Sequence, residues 1–479
     1  MGSRWFQRGV GIVIAVLAGT AAALLWFAVA SGDPEIRDEP TEGLVLGFWR
    51  VLYDSEAPAL RVILAAVAMA LLLAVGVAVL ERRIASRSRR SVDGVVAPLA
   101  PKIVMAATRG VYAGPVTVTV LIPSHNEEVS LPATIASLLA QSQPPDRIIV
   151  VADNCTDSTP AVARNAGVEV FLSVDNEHKK AGALNQVLTQ LLPEQKHNDV
   201  VMVMDADTSL DDGFIGAAVS RFTNDRALMA IGGLFYGEEG HGLLGQFQRN
   251  EYIRYAREIR RRRGRVFVLT GTASMFRPVA LRTVAESRGQ SIPGQPGMVY
   301  DTAALTEDNE LTIALKSLGA QMVSPHQCTV VTELMPGWRT LWAQRLRWQR
   351  GALENLGAYG VRSQTMRYWA QQLGIGYGVI ALSSYLLLIS LALLSLENWI
   401  WFPFWLGIGA LFMVERVVTV WKGGWRARVL AASLFPELFF DMVLNLIYVK
   451  GILDIAVGRQ ATWKHVTHET PHESQEAIR

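Results

Sequence analysis

Apolar residues follow two regimes along the chain. Near its ends they form long unbroken runs, and between residues 91 and 335 they come in short bursts bounded by turn residues. Gly9 to Ala30 is uncharged and long enough to span a bilayer. A secretory signal is the other reading, but the run is long for one and lacks a convincing cleavage site. Ala57 to Leu80 forms a second run. Leu373–Leu396 and Trp399–Val420 form two more, joined by a tight turn at Glu397-Asn398, with Trp399, Trp401 and Trp405 suited to a membrane interface. The last stretch, 429–457, carries Glu437, Asp441 and Asn445 on one helical face. It reads either as a span with a polar stripe along a water-filled path or as a re-entrant or in-plane helix.

The central bursts alternate in type. Strands are expected at 116–123, 147–152, 168–172 and 199–204, and helices at 131–140, 159–166, 183–192 and from Thr306 to about Leu318. Residues 287–299 are rich in glycine and proline and read as a loop. Alternating strands and helices predict a mostly parallel sheet covered on both faces, with ligands beyond the carboxyl ends of the strands.

Composition and charge sharpen this division. The chain has 479 residues, of which 50% are hydrophobic, and its mean hydropathy of +0.23 is high for a soluble protein. Its net charge is only +2, but the placement is uneven. Arg82, Arg83, Arg87, Arg89 and Arg90 follow the second run and mark the cytoplasmic side, whereas residues 31–57 are acidic and fall outside. The expected organisation is two transmembrane helices over 1–90, a cytoplasmic catalytic domain over 91–335 and amphipathic interface helices over 336–370. Transmembrane or re-entrant helices then cover 371–457, and 458–479 is a cytoplasmic tail. Cys155 and Cys328 match no zinc or redox spacing. Arg257, Arg260–Arg263 and Arg265 read as a solvated helix face or as a site for anionic headgroups.

Candidate chemistry lies where the strands end. Asp205-Ala206-Asp207 follows the strand ending at Met204 and can hold a hard divalent cation through oxygen ligands. Asp153, in Asp153-Asn154-Cys155-Thr156-Asp157, can accept hydrogen bonds from a nucleotide base, while Asp157 can be a helix cap. Lys180 stands just before a helix, where a phosphate would sit. Glu307 and Asp308 form an acidic pair able to provide a general base, and Thr306 before them reads as an N-cap. His125 reads as a loop-shaping residue. In Gln344-Arg345-Leu346-Arg347-Trp348, residues 344, 347, 348 and 351 share one helical face; Arg347 can pair with a diphosphate and Trp348 can stack on a sugar ring.

The order of these segments resembles the family 2 processive glycosyltransferases, which include cellulose, hyaluronan, chitin and poly-N-acetylglucosamine synthases. The resemblance covers about 115–355 and extends to the flanking membrane helices. It implies an α/β domain of the GT-A type inserted between transmembrane helices, in a multi-pass protein of the plasma (inner) membrane with its catalytic domain in the cytoplasm. It further implies Mg2+ or Mn2+, a UDP-sugar donor, a growing polysaccharide acceptor and inverting transfer to a β linkage. Export of the product and a homo-oligomer fit that picture; no nucleic-acid partner is expected. Transfer of one sugar to a lipid carrier is the alternative. By this resemblance Asp153 contacts the base and Lys180 the phosphates, while Asp205 and Asp207 contact nucleotide and metal. Asp308, beside Glu307, is the base. Gln344, Arg345, Arg347 and Trp348 hold acceptor and diphosphate, Thr270-Gly271-Thr272 lies on the acceptor side, and Thr462–His468 faintly resembles a gating segment.

Overall fold

The computed structural model describes residues 91–110, 114–262, 264–394 and 403–459, together with parts of 41–83. The chain divides into two compact units. One comprises 1–86, 366–418 and 431–442; the other comprises 87–365, 419–430 and 443–479.

The larger unit is built on a seven-stranded sheet. Its first strand, β3 (Thr117–Ser124), is buried along nearly its whole length, because an unbroken apolar run can lie only where both faces are covered. β4 (Arg147–Ala152) and β6 (Asp199–Met204) flank it in parallel, and β5 (Glu169–Leu172) pairs with β4. β10 (Ala273–Phe276) runs antiparallel between β6 and β8 (Leu228–Gly232), and β11 (Gln321–Val323) closes the edge. The order is β11-β8-β10-β6-β3-β4-β5, so the sheet is mixed where the sequence suggested a mostly parallel one. β7 (Thr208–Leu210), β9 (Leu234–Gly237) and β12 (Thr329–Thr332) form a second, three-stranded sheet.

Helices Leu131–Leu139 and Phe214–Asn224 contribute Leu131, Ile135, Leu138, Phe214, Ile215 and Phe222 to the core under the central sheet. The helix expected from Ala183 begins at Lys179, so Lys179 and Lys180 lie in its first turn. Asn176 sets that start: its side chain accepts from the His178 amide at 3.0 Å and donates to the Lys179 carbonyl at 2.7 Å. Gly182 must lack a side chain, because a Cβ there would stand 2.0 Å from Asn176 Oδ1.

In the smaller unit, the run at Gly9–Ala30 and the turn at Glu397-Asn398 lie outside the described residues. The residues described between 60 and 83 are helical. β1 (Thr41–Val45) and β2 (Trp49–Tyr53) form an antiparallel hairpin within the acidic segment, which hydropathy alone did not suggest. Helix Met366–Leu394 contains the stretch Met366–Ser390, which among the described residues is long and apolar enough to cross a membrane. Helix Pro403–Thr419 follows. The final apolar stretch is not one straight helix: Trp421–Ala432 and Phe435–Ala456 meet at 90°, the geometry of a broken span or a re-entrant loop. Leu434 turns that corner with a φ of 54°. Of the expected polar stripe, Asp441 forms an ion pair with Arg416, and Glu437 lies 3.7 Å from the same guanidinium.

Candidate active site

β4 and β6 end on the same edge of the sheet, delivering Asp153 and Asp205 there. Lys180 Nζ lies 2.5 Å from Asp205 Oδ1 and 3.4 Å from Glu307 Oε1. Gly271 permits this convergence: a Cβ on it would stand 3.0 Å from Lys180 Nζ and 3.3 Å from Asp205 Oδ2. The Gly271 amide donates to Asp308 Oδ2 at 3.1 Å, and the Asn309 amide donates to Asp308 Oδ1 at 2.7 Å. Lys180, Thr270, Gly271, Tyr300, Glu307 and Asp308 line one cavity. The hydroxyls of Thr270 and Thr272 are 2.8 Å apart.

The electrostatics follow from this crowding. Burial, reinforced by the Glu307 carboxylate, pushes Asp308 up to about 6, against the opposing pull of Lys180 and the two amides. Burial would lower Lys180, but Asp205, Glu307 and Asp308 outweigh it and hold the ammonium protonated. Burial and then the charges of Asp205, Glu127 and Glu333 push Asp207 up to about 8. Glu127 and Glu333 were not singled out from sequence, because they reach this acidic region from separate loops.

Among the described residues no group of three or more His, Cys, Asp or Glu side chains is arranged to hold a metal ion. A cation bound here would draw on one or two carboxylates, Asp205 and Asp207, with substrate phosphates and water as its other ligands, as magnesium sites commonly do. The negative surroundings of Asp207 are what such a cation would relieve.

Asp153 is buried, and its Oδ1 accepts from Ser173 Oγ and Asn176 Nδ2, each at 2.7 Å. His125 Nδ1 donates to the Asp153 carbonyl at 2.6 Å, the loop-shaping role expected of it. Asp157 caps its neighbourhood, accepting from the amides of Glu128 and Thr159 at 3.1 and 3.0 Å. Asn176, which joins Asp153 to the start of the Lys180 helix, was missed because it sits in a turn whose partners are set by tertiary structure.

Gln344 to Trp348 lie on helix Trp338–Tyr359. Arg345 departs from its expected role. It is 3% exposed, pairs with Glu251 at 2.8 Å and lies over the rings of Trp348 and Tyr252 at 4.3 and 5.6 Å. Its Nη1 also donates to Gln344 Oε1 at 2.6 Å. Successive helical residues point about 100° apart, so Arg345 turns into the protein while Arg347 does not. Arg347 is partly exposed and lies near enough to Lys179 for its charge, after burial, to lower that ammonium. Thr306 precedes the helix Glu307–Ser317 as expected but makes no side-chain cap; its hydroxyl instead accepts from Asn355 at 3.1 Å. Tyr300, absent from the sequence reading, is fixed by a reciprocal pair of 2.9 Å bonds between its backbone and Asn185. Thr462–His468 lies outside the described residues.

Residues 119–284 match the family described as glycosyl transferase family 2. A probable glycosyltransferase, YdaM, from Bacillus subtilis (strain 168) is 30% identical over 248 residues, covering 49% of this chain and 54% of that protein. The poly-beta-1,6-N-acetyl-D-glucosamine synthase of Staphylococcus aureus (strain COL) is 26% identical over 248 residues, covering 50% of this chain and 55% of the synthase. The chain thus spans about half the length of the curated relatives it matches. Among solved structures, the mannosyltransferase PcManGT from Pyrobaculum calidifontis, in complex with GDP-Man and Mn2+, aligns with a TM-score of 0.43 and 15% identity. That alignment covers 79% of this chain and 99% of the other.

Proposed function

We propose, from the match of residues 119–284 to glycosyl transferase family 2, that the protein is a GT-A-type enzyme that transfers sugar from a UDP-sugar to a growing β-linked polysaccharide at a membrane. The observation that carries the reading is the cavity in which Asp308, raised to about 6, faces Lys180 across Gly271. A carboxylate poised there suits proton abstraction from an acceptor hydroxyl near neutral pH. As that oxygen attacks the anomeric carbon, the bond to the diphosphate breaks. Lys180 and Arg347 then face the charge that develops on the leaving group. Asp205 and Asp207 are the residues that would hold a divalent cation, Mg2+ or Mn2+, which when bound supplies further positive charge to the diphosphate. No covalent sugar on the protein is needed, so the anomeric centre inverts. To Asp153 we assign contact with the base, and to Gln344 and Trp348 contact with the acceptor.

The similarity to a poly-N-acetylglucosamine synthase makes UDP-N-acetylglucosamine the first donor to try. Met366–Ser390, with the apolar runs at 9–30 and 57–80, would hold the enzyme in the plasma membrane with its catalytic unit in the cytoplasm. The test is purified full-length protein incubated with a panel of UDP-sugars, following UDP release and product length. Metal-dependent release with a long product is expected. Products carrying a single added sugar would favour transfer to a lipid carrier, and no turnover of any donor would overturn the assignment.

A further inference from the structure

Below Arg347, helix Trp338–Tyr359 carries Gly351, Asn355 and Tyr359 at successive four-residue steps. Each one meets the segment that holds Asp308. A Cβ on Gly351 would stand 2.5 Å from Thr306 Oγ1 and 2.8 Å from its Cγ2, so the two backbones approach as closely as they do only because residue 351 is glycine. Asn355 Nδ2 is 3.1 Å from each of three acceptors: the Thr306 carbonyl, Thr306 Oγ1 and Asn309 Oδ1. Tyr359 donates its hydroxyl to Glu310 Oε1 at 2.5 Å. Thr306, Asn309, Glu310, Asn355 and Tyr359 are all buried. Glycine inside a long helix weakens that helix, so its place here calls for a packing reason, and Thr306 supplies one.

We infer that Gly351, Asn355 and Tyr359 form a clamp that fixes the register of the Arg347–Trp348 helix against Asp308, making them positioning residues for glycosyl transfer. The inference rests on the roles proposed above for Asp308, Arg347 and Trp348. Asp308 lies between two clamped residues, Thr306 and Asn309, while Arg347 and Trp348 lie one helical turn before Gly351 on the same element. A slip of one residue along a helix moves a side chain about 1.5 Å and turns it about 100°. Loosening the clamp would therefore displace acceptor from base without touching Asp153 or Lys180. Donor would still bind and could still lose its sugar to water, but transfer to the acceptor would fail.

The experiment measures two rates in the full-length enzyme, sugar incorporated into product and UDP released, together with UDP affinity and thermal unfolding. Asn355→Leu and Gly351→Ala are each expected to lower the ratio of transfer to release by on the order of 10²-fold, with UDP affinity falling far less, by no more than the loss of the Arg347 contact. In the Gly351→Ala background, Thr306→Ala removes the atoms that the new methyl would strike. It is expected to restore most of the ratio, which a loss of global stability would not allow. If Asn355→Leu fails to fold, the Gly351→Ala and Gly351→Ala/Thr306→Ala pair decides the matter. A ratio equal to wild type in the folded variants would overturn the clamp while leaving the proposed function standing. A wild-type enzyme that releases UDP but transfers to no acceptor would overturn both.

Discussion

Asp308 illustrates how much of a side chain's behaviour comes from its neighbours. Its carboxyl has an ordinary value of 3.8 and stands at about 6 in the fold, because burial and Glu307 disfavour its charge more than Lys180 and two amides favour it. Asp308→Asn is expected to reduce sugar transfer by on the order of 10²–10⁴-fold while leaving UDP binding nearly intact; isothermal titration with UDP beside a turnover assay checks both halves. Turnover should fall as pH drops through about 6, because a base must be unprotonated to act, and a rate profile between pH 5 and 8 would reveal it. The same shift bears on stability. Between pH 3.8 and about 6 the folded protein binds more protons at this site than the unfolded chain, so the site's contribution weakens as pH rises through that window. Asp308→Asn is accordingly expected to raise the melting temperature at pH 7.5, and a lower one would contradict the assigned shift. Sequence revealed the acids that follow strands, since Asp153, Asp205 and Asp207 are fixed by where an apolar run stops. It could not reveal Arg345, whose inward turn depends on Glu251 and Tyr252 from a distant helix, nor Tyr300, held in a loop by Asn185.

Among elements, β3, β4 and β6 and their helices were legible because each carries enough apolar residues to declare its period. β7 and β11, of three residues, and β9, β10 and β12, of four, were not read from sequence, although β5, also of four, was; their pairing is decided by neighbours. The loop over 287–299 was legible as a loop, but its anchor was not. Arg288 is fully buried, makes two bonds of 2.8 and 2.7 Å to Glu310, and donates to the carbonyls of Pro293, Met298 and Val299. Glu310→Ala would leave that guanidinium buried without its carboxylate, a loss of about 3–5 kcal/mol. Scanning calorimetry of the full-length protein should therefore find Glu310→Ala unfolding well below wild type. The double variant Arg288→Leu/Glu310→Leu should lie above the single one, since it leaves no charge stranded.

At the scale of the whole chain, hydropathy is blind to a corner such as Leu434 and to charge pairing between helices. If the polymer is exported by the enzyme itself, sealed vesicles with the catalytic unit outward should accumulate product that added glycosidase cannot digest; complete digestion would exclude export. Arg416 has a consequence for how the protein is made. It sits near the end of a 17-residue helix, and its carboxylate partner Asp441 comes 25 residues later in the chain. A guanidinium entering hydrocarbon alone meets a penalty that its partner would offset. If Pro403–Thr419 is a membrane helix, as the sequence reading expects, it should be reluctant to enter the bilayer as it emerges from the ribosome and settle only once Phe435–Ala456 has been synthesised. Nascent chains halted before residue 435 would leave this helix at the membrane surface, and extending them past Asp441 would draw it in.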